Sequence, residues 1–380
     1  MEKKTNSRHT NANSNLIVSI CYIWWIEMKN TIKDEGVLIF FVLVPLLYPL
    51  LYSWIYNNEV VRNVPVVVVD QSHTATSRQF VRMVNASPDV EVAYYCNSLP
   101  EAKTVVEQQN ANGIIYLPKN FEQTLNRGEQ AHISVYCDMN LMLAYKAIYQ
   151  TSLAVALEMG KERQKDMIGN ITVRDEQVNT QPLEVVEEPI FNVTGGYGNA
   201  ILPGVLILIL QQTLLLGIGL SAGTARENNR YQDLVPISKH HNGIFKIVLG
   251  KSLCYFMIYC VVAAYITLAV PHIFHFTMLA QPADLIGLLV PYLLSVIFFG
   301  MTLSCLVRHR ENVMLLVVFT SIPFLFLTGV SWPRTNIPPI WEGIAWLIPS
   351  TFGVRGFLSL SSMAGTLDDI RTEVFALWTQ

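Results

Sequence analysis

Few side chains in this 380-residue chain combine residue types and spacing that could do chemistry. Gln211 and Gln212 sit side by side within the apolar run Ala200–Ala222, and apart from hydroxyls they are the main polar groups the apolar runs offer. A charged stretch follows, with Arg226, Glu227, Arg230 and Asp233. His272 and His275 are spaced i, i+3, as a metal pair would be. No third ligand lies nearby in sequence, so histidines at an interface are the simpler reading. His240 and His241 fall in a basic segment and read as solvated. The six cysteines keep no metal-ligand spacing. Cys21, Cys254, Cys260 and Cys305 lie in or beside apolar segments and read as small core residues. Cys96 and Cys137 lie in a more polar stretch and could pair in an oxidising compartment, although two separate buried thiols is the simpler reading. There is no Walker-type phosphate loop, no His-Glu-x-x-His and no Gly-x-Ser-x-Gly. The expectation is a protein without catalytic residues, metal or cofactor.

What must position the remaining polar groups is a set of long apolar segments. Charged residues make up 14% of the chain and apolar ones 51%, against about 25% charged in typical soluble domains. The net charge is −3 and no basic tract is interleaved with aromatics, which argues against a nucleic-acid partner. Val37–Tyr56 has the length of a transmembrane helix, about 30 Å. Ala200–Ala222, Ile247–Val270, Leu285–Val307 and Val313–Val330 follow as four more spans. None carries Asp, Glu or Arg at its middle, where a charge would cost about 2.5–3.5 kcal/mol. Lys251 lies near an end, where it can snorkel to the interface. Residues 1–36 show no short basic region with a cleavage site, so the first span is expected to remain as an uncleaved anchor.

Basic residues set the orientation. With the N-terminus inside, eleven Lys and Arg (Lys3, Lys4, Arg8, Lys29, Lys33, Arg226, Arg230, Lys239, Lys246, Arg308 and Arg310) lie on the cytoplasmic side. The outer segments after the second span hold three, Arg334, Arg355 and Arg371. Leu16–Asp34 reads as an amphipathic helix in the inner interface, with Ile17, Ile20, Cys21, Trp24, Trp25, Met28 and Ile32 at helical spacing.

Between the first and second spans the pattern changes. Strands are expected at Val64–Val69, Val90–Tyr95, Gly113–Leu117 and His132–Tyr136. Helices are expected at Thr74–Asn85, Leu99–Gln109, Lys119–Arg127 and Leu141–Asp166. This alternation predicts an α/β sheet domain. No Gly-rich loop follows a strand, so nothing marks a nucleotide site. The predicted fold is an α-helical polytopic membrane protein, N-terminus cytoplasmic, with five complete spans, the start of a sixth and an inserted α/β extracytoplasmic domain. Its parts are a tail and interfacial elbow helix (1–36), the first span (37–56), the extracytoplasmic domain (57–198), spans two to five (199–331), an outer re-entrant or interfacial region (332–371) and the start of a sixth helix (372–380).

Ion-coupled transporters usually carry acids or histidines within their spans. Without them, energy for moving a solute would come from a partner on the cytoplasmic face. At this point the chain resembles ABC type-2 transporter permeases with a large extracytoplasmic domain after the first span. Trp24-Trp25-Ile26-Glu27-Met28-Lys29 resembles the family's elbow helix, and Pro45 and Pro49 its proline-bearing first span. Val64-Pro65-Val66, Val69-Asp70-Gln71 and Ser77-Arg78 resemble the first strand and helix of the insert. Gly113-Ile114-Ile115-Tyr116-Leu117-Pro118 with Phe121 resembles a later strand. Pro203-Gly204, Gly250-Lys251 and Gly329 with Pro333, Pro338 and Pro349 follow in the family's order. The inner loop keeps Arg226-Glu227 but lacks the Gly-Thr-x-Glu that relatives carry there.

The resemblance implies the membrane subunit of an exporter in the bacterial inner membrane. A separate ABC ATPase subunit, a second permease subunit (identical or homologous), membrane lipid and a periplasmic adaptor are the implied partners. Glu27, Lys29, Arg226, Glu227, Arg230 and Asp233 would dock the ATPase. Pro45, Pro49, Gln211, Gln212 and Pro323 would form pathway and hinge positions. With no fixed charge in the spans, the substrate would be hydrophobic or amphipathic. The family has six spans, and Val374–Trp378 resembles only the start of the sixth, so a C-terminally truncated permease is expected. Asn336–Pro349 is expected to be re-entrant or interfacial. The alternative is a membrane-anchored sensor with an extracytoplasmic ligand-binding domain, disfavoured because the inner loops are too short for a signalling module. An envelope structural protein would not need five spans, and a secondary transporter would need intramembrane acids.

Overall fold

Proline shapes the first span. The computed structural model describes residues 16–57, 61–168, 190–192, 196–228, 243–307 and 309–380. The chain divides into two compact units, Met1–Glu59 with Ile190–Gln380, and Val60–Pro189. Helix α1 covers Leu16–Lys33 and the span α2 covers Glu35–Tyr56. Asp34 between them caps α2, its Oδ1 accepting from the amides of Gly36 (3.1 Å) and Val37 (3.3 Å). Over Ile39–Leu43 the ladder widens into a π turn, in which Val44 N–H reaches back to Ile39 O. Pro45 follows at once. It has no N–H for Phe41 O, and its ring crowds that carbonyl, so the ladder slips by one residue. The slip seats Phe41, which is fully buried, against Tyr255 and Tyr259 at ring distances of 5.5 and 5.4 Å.

The second unit is a four-stranded sheet of order β2-β1-β3-β4, with β1 at Val64–Asp70, β2 at Val90–Tyr95, β3 at Gly113–Leu117 and β4 at Ser134–Cys137. β1 runs parallel to both β2 and β3, and β4 is antiparallel to β3. Helices α3 (Ala75–Asn85), α4 (Leu99–Glu107), α5 (Phe121–Asn126) and α6 (Met142–Ile168) connect or cover them. The valine run of β1 is buried on both faces, as a central strand requires. Val66, Val68 and Ile115 pack with Phe80 and Val84 of α3 and Ile148 of α6. Val67, Val69 and Ile114 pack on the other face with Ala102 of α4. Cys96 belongs to the second cluster and Cys137 borders the first, so the sheet separates the two thiols, and both are free.

The first unit continues with α7 (Tyr197–Glu227), α8 (Gly243–Phe274), α9 (Pro282–Leu306) and α10 (Arg310–Thr328). With α2, these are five helices long and apolar enough to cross a membrane. α8 repeats the device of α2: a π turn at Tyr265–Ala269 directly precedes Pro271. α7 is the most buried of the five and forms the centre of the unit. Its far end carries small residues where neighbours crowd in. A Cβ on Gly217 would lie 2.0 Å from the Phe41 ring, and one on Gly219 2.4 Å from Val313.

After α10 come α11 (Pro339–Ala345), α12 (Pro349–Met363) and α13 (Arg371–Thr379). α12 has 15 residues, shorter than a span, yet Phe352, Val354, Phe357 and Leu360 are buried in the main core. Gly353 lets it meet Tyr292 of α9, whose hydroxyl donates to Ile207 O at 2.8 Å. α13 adds Ala376 and Leu377 to the same core.

Candidate functional site, a polar belt at one end of the bundle

Helix α1 packs against the bundle through a mostly polar stripe. Ser19, Ile23, Glu27 and Thr31, four residues apart, are buried, whereas Ile17, Trp25 and Ile32 are exposed. Gly250 of α8 permits the contact, since a Cβ there would lie 2.8 Å from Ile23 and 3.1 Å from Ile20 O. The polar stripe turns inward because Glu27 finds its counter-charge there. Its Oε2 lies 3.1 Å from Nζ of Lys251. Oε1 accepts from the Ser221 hydroxyl of α7 at 3.0 Å and from the Tyr255 hydroxyl of α8. Burial pushes the Glu27 carboxyl up, but the Lys251 ammonium and the two hydroxyl donors together hold it below its ordinary value. Lys251 therefore does not snorkel to solvent as its position near a span end suggests. Its side chain is 13% exposed and paired.

A second cluster lies one turn further along α7. Thr224 donates to Asp34 Oδ2 at 2.8 Å, and Arg310 Nη2 of α10 lies 2.8 Å from Asp34 Oδ1. The Arg310 amide donates to Glu227 Oε1 at 3.1 Å. Gly36 and Gly223 leave room for Arg310, its Nη2 standing 2.0 Å from a Cβ built on Gly36 and its Cα 3.0 Å from one on Gly223. Burial raises the Asp34 carboxyl, and Thr224, the Val37 amide and Arg310 reverse that to a net lowering. Arg226 completes the belt by donating to the carbonyls of Val307 and Cys305 (3.1 Å), the unpaired end of α9. Ser221, Thr224, Arg226 and Glu227, the last two turns of α7, thus hold α1, α2, α8, α9 and α10 at one end.

Four of the expected docking residues fall in or beside this belt. Glu27 is buried in it, Arg226 is half-buried, and Lys29 and Glu227 are exposed. Arg230 and Asp233 lie outside the described residues. The remaining positions are elsewhere. Gln211 is fully buried, and its Nε2 donates to Ser350 of α12 at 3.1 Å. Gln212, its neighbour, keeps both amide atoms shielded and without a partner among the described residues. Pro45 and Pro49 are buried in α2. Pro323 lines an apolar cavity of about 260 Å³ with Phe326, Leu327, Trp332, Ile337 and Trp341. His275 ends α8 in a left-handed conformation, and among the described residues no cluster of metal-ligand type is assembled. Sequence reasoning missed the roles of Asp34, Ser221, Thr224, Lys251 and Tyr255. The available signal was Lys251 itself, because a charge set in an apolar helix requires a partner.

The sequence profile described as "ABC-2 family transporter protein" matches residues 36–380. The chain belongs to that family. This ABC-2 chain is 22% identical over 361 residues to the linearmycin resistance permease protein LnrN of Bacillus subtilis (strain 168), covering 85% of this chain and 86% of the relative. It also matches the crystal structure of a domain assigned to an ABC type-2 transporter from Thermotoga maritima MSB8, at 20% identity and a TM-score of 0.24, covering 32% of this chain and 82% of that one. An ABC-2 membrane subunit is a multi-pass permease, in keeping with the five helices of span length.

Proposed function

We propose that the chain is the transmembrane subunit of an exporter, moving a hydrophobic or amphipathic substrate outward under the power of a separate ATPase. The observation that carries the reading is the belt itself. Any force applied to α1 or to the end of α7 passes through Glu27, Ser221 and Tyr255 into α8, and through Thr224, Asp34 and Arg310 into α2 and α10. The ATPase would act at this end, on Lys29 of α1, Glu227 and the stretch holding Arg230 and Asp233. Glu27 and Arg226 would transmit the motion, being committed to internal partners. The side chain Trp25, 60% exposed, would rest in the membrane interface. Interruptions in the helical ladder before Pro45 and Pro271 supply places where α2 and α8 can bend.

Two such chains would enclose the pathway, with the α/β unit on the periplasmic face of a bacterial inner membrane, where an adaptor can reach it. The relative's name joins a permease to resistance, which favours outward movement. Co-expression with the cognate ATPase tests the reading. E227Q combined with R230Q should weaken ATPase co-purification at least tenfold, and K29Q should add to the loss. Undiminished complex formation and export in the triple variant would remove the assignment.

A further inference from the structure

The second unit holds a cavity that the permease reading does not use. It has a volume of about 370 Å³ and opens at the carboxyl ends of β1 and β2. Val68 and Val81 form its apolar floor, Tyr95 a wall, and Arg78 and Arg82 its cationic side, with His73 at the rim. Arg78 and Arg82 stand one turn apart on α3, on the same face. Both are exposed, and neither has an ion-pair or side-chain hydrogen-bond partner among the described residues. Two like charges at this spacing repel, a cost that a bound anion would remove.

The one acid in the lining is already engaged. Asp70 accepts from the amides of Ser72 (2.9 Å) and His73 (3.1 Å) with Oδ1 and from the Ser77 hydroxyl (2.7 Å) with Oδ2. These bonds occupy the carboxylate, so the lining sets two guanidiniums against one acid that is turned to other donors, and they hold His73 at a φ of 52° at the cavity mouth. β1 and β2 are parallel neighbours, so their carboxyl ends lie side by side, and α3, which joins them, sets Arg78 and Arg82 beside those ends.

We propose that this cavity binds a small amphiphile carrying an oxyanionic group, phosphate or carboxylate. The two arginines take the anion, since planar guanidiniums pair with such oxygens in a bidentate manner. Val68, Val81 and Tyr95 take the apolar body. The site stands on the second unit's own residues and does not depend on the identity of the transported substrate.

Calorimetric titration of the full chain in an uncharged detergent tests it with three probes: inorganic phosphate, phenyl phosphate and dihexanoyl-phosphatidic acid. Phenyl phosphate should bind once per chain, at least tenfold more tightly than inorganic phosphate, and R78Q/R82Q should weaken it at least tenfold. Tighter binding of the short-chain lipid than of phenyl phosphate, with the same loss in the variant, supports the site and assigns it to a lipid headgroup; the reverse order supports it and assigns a soluble ligand. Equal binding by wild type and R78Q/R82Q, or no saturable binding of any probe, overturns the proposal. Equal affinity for phenyl and inorganic phosphate overturns the amphiphile. R78Q alone provides a milder variant should the double one misfold. ATPase co-purification should be unchanged in both, so failure here is separable from failure of the exporter reading.

Discussion

Glu27 of α1 and Lys251 of α8 form an ion pair of 3.1 Å whose two side chains are 6% and 13% exposed. A carboxylate and an ammonium so far from water require one another, because the interior does not solvate either alone. Three elements far apart in sequence converge on this pair, since Ser221 of α7 and Tyr255 of α8 also donate to Glu27.

Removing one member should therefore cost more than removing both. E27Q leaves Lys251 buried without its counter-charge and should lower stability by about 3–5 kcal/mol. The double variant E27L/K251M should recover a large part of that loss. Thermal unfolding of the detergent-solubilised protein, followed by light scattering or intrinsic fluorescence, measures both. Equal losses in the single and double variants would argue against the pairing.

The same carboxylate sets a pH dependence. Glu27 is held below its ordinary value of 4.5, so its contribution is complete above that value and is lost as pH falls through the lowered folded-state value. Asp34, also lowered from 3.8, acts in the same direction. Wild type should lose stability on acidification below about pH 4.5. The loss should be shallower in E27L/K251M, and acid titration of the thermal midpoint compares the slopes.

Phe41 and Gly217 are matched in shape. A Cβ on Gly217 would overlap the ring, so G217V should destabilise the protein by about 1–3 kcal/mol through overpacking. F41A should cost about 3–5 kcal/mol through a cavity beside Tyr255 and Tyr259. In F41A/G217V the valine can occupy part of that cavity, and the combined loss should fall short of the two single losses added together.

Cys137 should be a slow nucleophile. Burial pushes its thiol up to about 11, so only about one molecule in a thousand carries the thiolate at pH 8. A maleimide should label it far more slowly in the native protein than after denaturation. Non-reducing mass analysis should find no Cys96–Cys137 crosslink, since the sheet stands between the two thiols.

The sequence alone determined what depends on local pattern. The valine run of β1, the amphipathic stretch of α3 and uncharged runs of span length are read from neighbours a few residues apart, and the elements occur where those signals stand. End positions shifted by a residue or two in the sheet unit and by up to five in the spans, where α7 runs on from Ala222 to Glu227. β4, for example, begins at Ser134 where the apolar pattern begins at His132, because pairing with β3 sets the register.

Tertiary structure decided which face of α1 turns inward and what becomes of Lys251. The apolar residues of α1 predict a stripe that faces the membrane interface, and Ile17, Trp25 and Ile32 are exposed. The sequence does not tell what the other stripe does, and the structure buries it, as Ser19, Glu27 and Thr31 with Ile23. The reason is electrostatic and non-local. A buried ammonium on α8 and a hydroxyl pair from α7 and α8 make the stripe that holds Glu27 the complementary one, and no window along α1 contains that information.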